Sequence, residues 1–316
     1  MRIIHDLNHS SIKDGAGGYV TIGVFDGVHR GHRQLITDMV EAAHSTDNIA
    51  IALTFDPHPA TTLGREPPPL LTTVEERAGL LAALELDALV VLPFTPAIAH
   101  TSAVDFVVSL VHHLNLTELW GGPDLAFGHR REGDISFLQR LGAERGFTVH
   151  VVEPLRWEGA LVSSSRVRAA LRAGDIPQAT GCLGRPYRLT GIVTPPSSPL
   201  PEGDTPTLDI SPTPGRLIPA AGEYACLAHT EHLGTHPAVI SILTRSTAAG
   251  RTPAITARLL DRSADIYGQT LALDFIARLR DERAPADIAQ ARAILDRATA
   301  TALQPPDFKR ISQQRQ

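Results

Sequence analysis

Cysteine is nearly missing from this chain. There are two in 316 residues, Cys182 and Cys226, too far apart in sequence to read as a disulfide framework or a metal-binding pair. Positive charge is not in excess either. Twenty-nine Lys and Arg against 34 Asp and Glu leave a formal net charge of −5, and no basic block stands out, which argues against a nucleic-acid partner. No apolar run approaches the roughly 20 residues that a membrane helix needs. No charged-then-apolar leader is visible at the start. A cytoplasmic protein that does not engage membranes is therefore expected. What is present is ordinary globular composition, 43% hydrophobic and 20% charged, in a chain long enough for two domains.

The densest signal lies in residues 20–36. The β-branched run Val20–Val24 reads as a buried parallel strand. It enters a turn with Gly23, Val24, Phe25, Asp26 and Gly27, followed by His29-Arg30-Gly31-His32 and a helical stretch. Glycines let backbone approach a phosphate chain, and a helix N-terminus offers unpaired N–H groups and a positive dipole end. Two histidines three apart share one face of the first turn. They can donate hydrogen bonds to a triphosphate without a permanent charge. This suits attack by a phosphate-type nucleophile on the α-phosphorus of a nucleotide.

Strand and helix patterns alternate over the first 180 or so residues. Strands are expected at Ile49–Phe55, Ala88–Phe94, Leu116–Trp120 and Phe147–Val152, and helices at Thr73–Leu86 and Ile135–Arg145. That alternation implies a Rossmann-like, doubly wound parallel sheet whose ligands bind beyond the carboxyl ends of the strands. Phe25–His32, Asp56–Pro59 and Gly121–Asp134 would all lie at that edge. After Gly184 the pattern changes to short β-type runs broken by Pro, Gly and Ser, with one helix at Asp287–Leu303. A small antiparallel β-barrel with a C-terminal helix fits. The expected division is 1–183, 184–304 and a polar, disordered tail over 305–316.

These residues resemble the bacterial bifunctional riboflavin kinase/FAD synthetase family along almost the whole chain. Gly23–His32 matches its adenylyltransferase signature, and Thr54-Phe55-Asp56-Pro57-His58-Pro59 its second motif. Leu71–Arg77 and Leu92–Thr95 follow in order, and Ser163-Ser164-Ser165-Arg166-Val167-Arg168 matches Ser-Ser-Thr-x-Ile-Arg. The resemblance implies that FMN and ATP react to give FAD and pyrophosphate. It makes His29, His32, Ser164, Ser165 and Arg168 the catalytic set, with Gly23–Gly27 and Ser163 also at the nucleotide. His29 and His32 would hold the triphosphate, and Arg168 with Ser164 and Ser165 the departing phosphates. Taken alone, Ser163–Ser165 reads equally as a plain helix cap. The flavin would meet Asp56, Pro57, His58, Pro59, Asp124 and Phe127. Mg²⁺ would be bound mainly through the ATP phosphates rather than by a protein cage. In the flavin motif Leu125 and Ala126 replace the family's first Phe and a polar residue, which touches flavin identity more than nucleotidyl transfer.

The second half resembles the riboflavin kinase barrel in frame rather than in chemistry. Gly222-Glu223-Tyr224-Ala225 and Ile266-Tyr267-Gly268 match, but the Gly-rich loop is replaced by Pro195–Pro201, and prolines offer no N–H to a phosphate. Pro206-Thr207-Leu208-Asp209 stands where the family has Pro-Thr-Ala-Asn, so a metal-site Asn becomes Asp209. Thr256, before Leu259-Leu260-Asp261, occupies the place of the family's general base, a Glu. A Thr hydroxyl cannot take the riboflavin proton near neutral pH. Kinase activity is expected to be lost or vestigial, leaving an FMN adenylyltransferase. Two alternatives stay open: transfer to a different or modified flavin, and a flavin- or nucleotide-binding protein without turnover. Small-molecule partners are expected, and the oligomeric state is not legible.

Overall fold

A computed structural model describes residues 1–7, 15–195, 207–232, 234–247, 250–261, 266–281 and 288–302. Two compact units form, one from Met1–Arg166 with Cys182–Gly184, the other from Val167–Gly181 with Arg185 onward. Among the described residues no helix is long and apolar enough to cross a membrane.

The first unit is built on a parallel sheet. Its strands are β1 (Arg2–Ile4), β2 (Gly18–Ile22), β3 (Ile49–Phe55), β4 (Ala88–Leu92), β5 (Leu116–Gly121) and β6 (Thr148–Val151), in the order β1-β4-β3-β2-β5-β6. The helices are α1 (Arg30–His44), α2 (Pro59–Thr62), α3 (Val74–Ala82), α4 (Pro96–His100), α5 (Ala103–Leu114) and α6 (Ile135–Arg145). A short hairpin, β7 (Arg156–Trp157) and β8 (Ala160–Leu161), precedes α7 (Ser164–Ala173) and α8 (Ile176–Leu183). Every residue of β2 and β4 is buried, as befits strands covered on both faces. Alternation divides β3 between two cores: Ile49, Ile51 and Leu53 pack with α5 and α6, and Ala50 and Ala52 with α1 and α3.

Local chemistry accounts for where elements begin and end. Thr73 and Glu76 form a reciprocal capping box at the start of α3. That helix stops at Ala82 rather than the expected Leu86, since tight turn bonds lead into Glu85 at φ 60°. The strand expected over Val20–Val24 ends at Ile22, and the chain leaves the sheet as Phe25 turns to φ 50°. The switch point lies between β2 and β5: the chain moves from β2 toward β3 and β4 on one side, and to β6 on the other.

The second unit holds a closed antiparallel barrel. Its strands are β9 (Tyr187–Thr194), β10 (Leu208–Pro212), β11 (Gly222–Thr230), β12 (Gly234–Thr247), β13 (Gly250–Leu259) and β14 (Thr270–Arg280), closing in the order β10-β13-β12-β11-β14-β9. Closure removes free edges. Tyr187, Tyr224 and Phe275 fill the interior. Helix α9 (Ile288–Ala302) follows, close to the expected Asp287–Leu303. Most of the Pro195–Pro201 loop, Pro206 and the tail over 305–316 lie outside the described residues.

Candidate active site

The loop after β2 is held from two sides. Asp26 is buried, and its carboxylate accepts hydrogen bonds from Leu71 N, Thr72 N and Thr72 Oγ1 at 3.0–3.2 Å. Its backbone carbonyl accepts from Ser164 Oγ at 2.9 Å. Gly27 sits at φ 80°, a conformation costly for residues with a Cβ, and its N–H reaches Thr72 Oγ1.

That loop delivers the two histidines. His29 is the N-cap of α1 rather than part of it, and its Nδ1 accepts the His32 backbone N–H at 3.3 Å. The neutral imidazole therefore carries its proton on Nε2. The two rings stack with centroids 3.6 Å apart and planes 18° from parallel. A Cβ at position 31 would come within 3.3 Å of the His29 ring, so Gly31 makes room for it. Phe25 meets His32 edge-on at 5.2 Å. Burial of the ring, then the neighbouring His29, then the Arg77 guanidinium hold His32 well below the ordinary histidine range. Burial thus keeps His32 neutral.

The three serines have different positions. Ser163 Oγ accepts the Arg166 N–H and caps α7. Ser164 ties that helix to Asp26, and Ser165 is exposed. Arg168, one turn beyond Ser164 on α7, is buried and belongs to the second unit.

A cavity of about 800 Å³ opens beyond β2, β3 and β5 and is lined by both Gly23 and Val24 of the histidine loop. Of the expected flavin residues His58, Pro59, Asp124 and Phe127 line it, and Asp56 and Pro57 do not. Leu125 and Ala126 are also in its wall. Phe55, Phe94, Arg65, His129, Arg130 and Arg131 also line it: the sequence reading had Phe55 and Phe94 in motifs and 129–131 at the ligand edge, gave none of them a role, and passed over Arg65. The arginine pair directly follows a recognised motif, a signal that could have been used. The aromatic walls come from elements far apart in sequence, and no local pattern joins them. Among the described residues no group of three or more His, Cys, Asp or Glu could hold a metal ion.

In the barrel, Asp209 of β10 pairs directly with Thr256 of β13, which in turn faces Ser241 of β12. Leu208, Ile210, Ile255 and Ala257 on either side are buried, so the Asp209–Thr256 pair stands on the outward face. Thr207 precedes β10 and is half-buried.

Comparison with known proteins gives two adjoining matches: a FAD synthetase family model over residues 11–166 and a riboflavin kinase model over 183–303. A bifunctional riboflavin kinase/FMN adenylyltransferase from Pseudomonas fluorescens is 32% identical over 98% of this chain and 100% of its own length. The chain belongs to that family. The Escherichia coli K12 member is 31% identical over 96% of this chain and 97% of its own. The crystal structure of a Streptococcus pneumoniae protein, described as a macrolide-efflux protein, covers 95% of this chain and 97% of its own at TM-score 0.79 and 24% identity. That likeness speaks to the fold alone. Membership in the family makes this protein a nucleotidyltransferase.

Proposed function

We propose that the chain is an FMN adenylyltransferase, with residues 1–183 as the adenylyltransferase domain and 184–304 as a kinase-type barrel that no longer phosphorylates riboflavin. The observation that carries the reading is the shared wall: Gly23 and Val24 line the 800 Å³ cavity and also lead into the His29–His32 turn. A flavin ring in the apolar cavity would bring its 5′-phosphate to that turn.

A phosphate oxygen of FMN attacks the α-phosphorus of MgATP. The new P–O bond forms as the bond to the β-phosphate breaks, and pyrophosphate leaves. Little covalent chemistry falls to the protein, so orientation and charge stabilisation carry the rate. Nε2–H of His29 and the imidazole of His32 donate to the non-bridging oxygens. Ser164, Ser165 and Arg168 on α7 hold the departing pyrophosphate. His58, Pro59, Asp124 and Phe127 position the flavin, and Asp56 and Pro57 shape the turn that carries His58.

For the kinase, Thr256 has no basic group to offer and the Pro-rich segment has few N–H groups for a phosphate. A second reading has its own observation. Asp209 lies directly across the ladder from Thr256, so one carboxylate remains at the pair, moved by one strand. That arrangement favours a slow kinase with a displaced base.

Chromatography of product mixtures tests both readings. The protein is incubated with MgATP and either FMN or riboflavin. FAD and pyrophosphate from FMN, with riboflavin untouched, are expected. FMN or FAD from riboflavin would overturn the loss of the kinase, and its disappearance in Asp209→Asn would assign the base. No product from FMN would overturn the adenylyltransferase reading.

A further inference from the structure

Arg77 lies on α3, outside both the cavity wall and the histidine turn, and is only 2% exposed. A guanidinium there has given up its hydration, which is costly without compensating partners. Its Nη1 donates to Thr54 Oγ1 at 3.0 Å, and its Nε has no hydrogen-bond partner among the described residues. Asp26, Asp56 and Glu75 act on it through space and favour its charged form, against the burial that opposes it. Asp26, the buried one, already spends its carboxylate on Leu71 and Thr72. So a cation is buried at the end of the Leu71–Arg77 motif and incompletely matched by the protein itself.

What Arg77 touches points to its use. Thr54 passes the hydrogen bond on, donating to Val24 O at 3.1 Å. Val24 is in the short segment between β2 and His29 and also in the cavity wall. A two-bond relay therefore runs from α3 through the end of β3 to the segment where cavity and phosphate loop meet. We propose that Arg77 is a positioning residue for adenylyl transfer: through Thr54 it fixes the Val24 carbonyl and the turn to His29 and His32, and its charge stands behind the place where polyphosphate arrives.

The electrostatic part works on His32. A bound polyphosphate favours protonation of nearby imidazoles, and a fixed cation opposes it. The ionisable groups acting on His32 are His29 at the helix cap and Arg77 on α3, while Phe25 offers an uncharged ring in T-shaped contact. Arg77 stays charged throughout the working pH range.

The proposal rests on the adenylyltransferase reading, so one arm of its test does not depend on turnover. Histidine-labelled protein, free and with a non-hydrolysable ATP analogue, is titrated by NMR for the wild type, Arg77→Met and Arg77→Lys. FAD formation from FMN is followed over the same pH range, with Thr54→Val added. In Arg77→Met the His32 midpoint is expected to rise, and kcat to fall about 10- to 100-fold with KM for FMN within about two-fold. Arg77→Lys is expected to restore the midpoint and only part of kcat, since the ammonium keeps the charge but not the fork. Thr54→Val is expected to lower kcat and leave the His32 midpoint in place. Wild-type kcat in folded Arg77→Met, or an unmoved His32 midpoint there, would overturn the proposal. If Arg77→Met does not fold, Arg77→Lys and Thr54→Val decide: wild-type kcat in Thr54→Val removes the relay, and a displaced His32 midpoint in Arg77→Lys removes the charge. An inactive wild type whose His32 still responds to Arg77 would overturn the adenylyltransferase reading and with it the catalytic part of the proposal.

Discussion

Two imidazoles 3.6 Å apart cannot both carry a proton cheaply, and at His32 burial makes the charge costlier still. The consequence for stability has a definite sign. An unfolded histidine titrates near about 6.5, whereas folded His32 titrates well below that. Between those values the unfolded chain binds the extra proton, so the native state loses stability as the pH falls from about 7 and the loss levels off below the folded value. The slope for one such group is at most about 1.4 kcal/mol per pH unit. Urea unfolding at a series of pH values should show His32→Asn less sensitive than the wild type across that window. An identical slope in the two proteins would contradict the assignment. The histidines and the Ser163 cap were legible from residue type and spacing. Arg77 was not: its sequence gives a plain first helical turn, and only tertiary burial turns a surface-type residue into a cation behind the loop.

Among the elements, the hairpin before α7 shows how a small piece is fixed in place. Glu158 and Gly159 take φ 50° and 75°, the left-handed pair that a two-residue hairpin turn requires. Arg166 then clamps it, donating from Nη1 to Trp157 O and Ala160 O, both at 2.8 Å, and lying over the Trp157 ring at 5.6 Å. At its base Val162 N bonds to Leu155 O, and Leu155 lies 3.9 Å from where a Gly31 Cβ would be, beside the histidine turn. Arg166→Met should leave α7 folded and speed amide exchange over 156–161 by about ten-fold, for a loss of about 1.4 kcal/mol of local opening energy. Unchanged exchange would show that the strands hold themselves. Sequence patterns found α3 through its cap, and α6 and β3 to the residue. They passed over α5, where Val104, Phe106, Val107 and Val108 resemble a strand and only Ser102 and Asp105 mark a helix start.

At the scale of the whole molecule, the doubly wound sheet and the closed barrel agree with the strand–helix alternation and the later run of short strands. The topology puts the loops after β2, β3 and β5 at one edge because parallel strands share their carboxyl ends. His58, Pro59, Asp124 and Phe127 of the 800 Å³ cavity were legible as motif residues, but its aromatic wall was not, since Phe55, Phe94 and Phe106 meet only when three separate elements pack. If the barrel makes no FMN, the molecule depends on a separate source of it. Adding an independent riboflavin kinase to protein, MgATP and riboflavin should then start FAD formation, followed by chromatography. FAD without that addition would mean the chain completes both steps.

Helix α7 has a consequence for how such a chain can be recombined. Ser164–Arg166 belong to the first compact unit and Val167 onward to the second, so the unit boundary falls inside one continuous helix, within the Ser-Ser-Ser-x-Val-Arg motif. A crossover that joined the front half of one gene to the back half of another at this boundary would bring Ser164 and Arg168 from different parents. Recombination at this boundary would therefore separate the serines of the motif from its arginine while keeping their spacing.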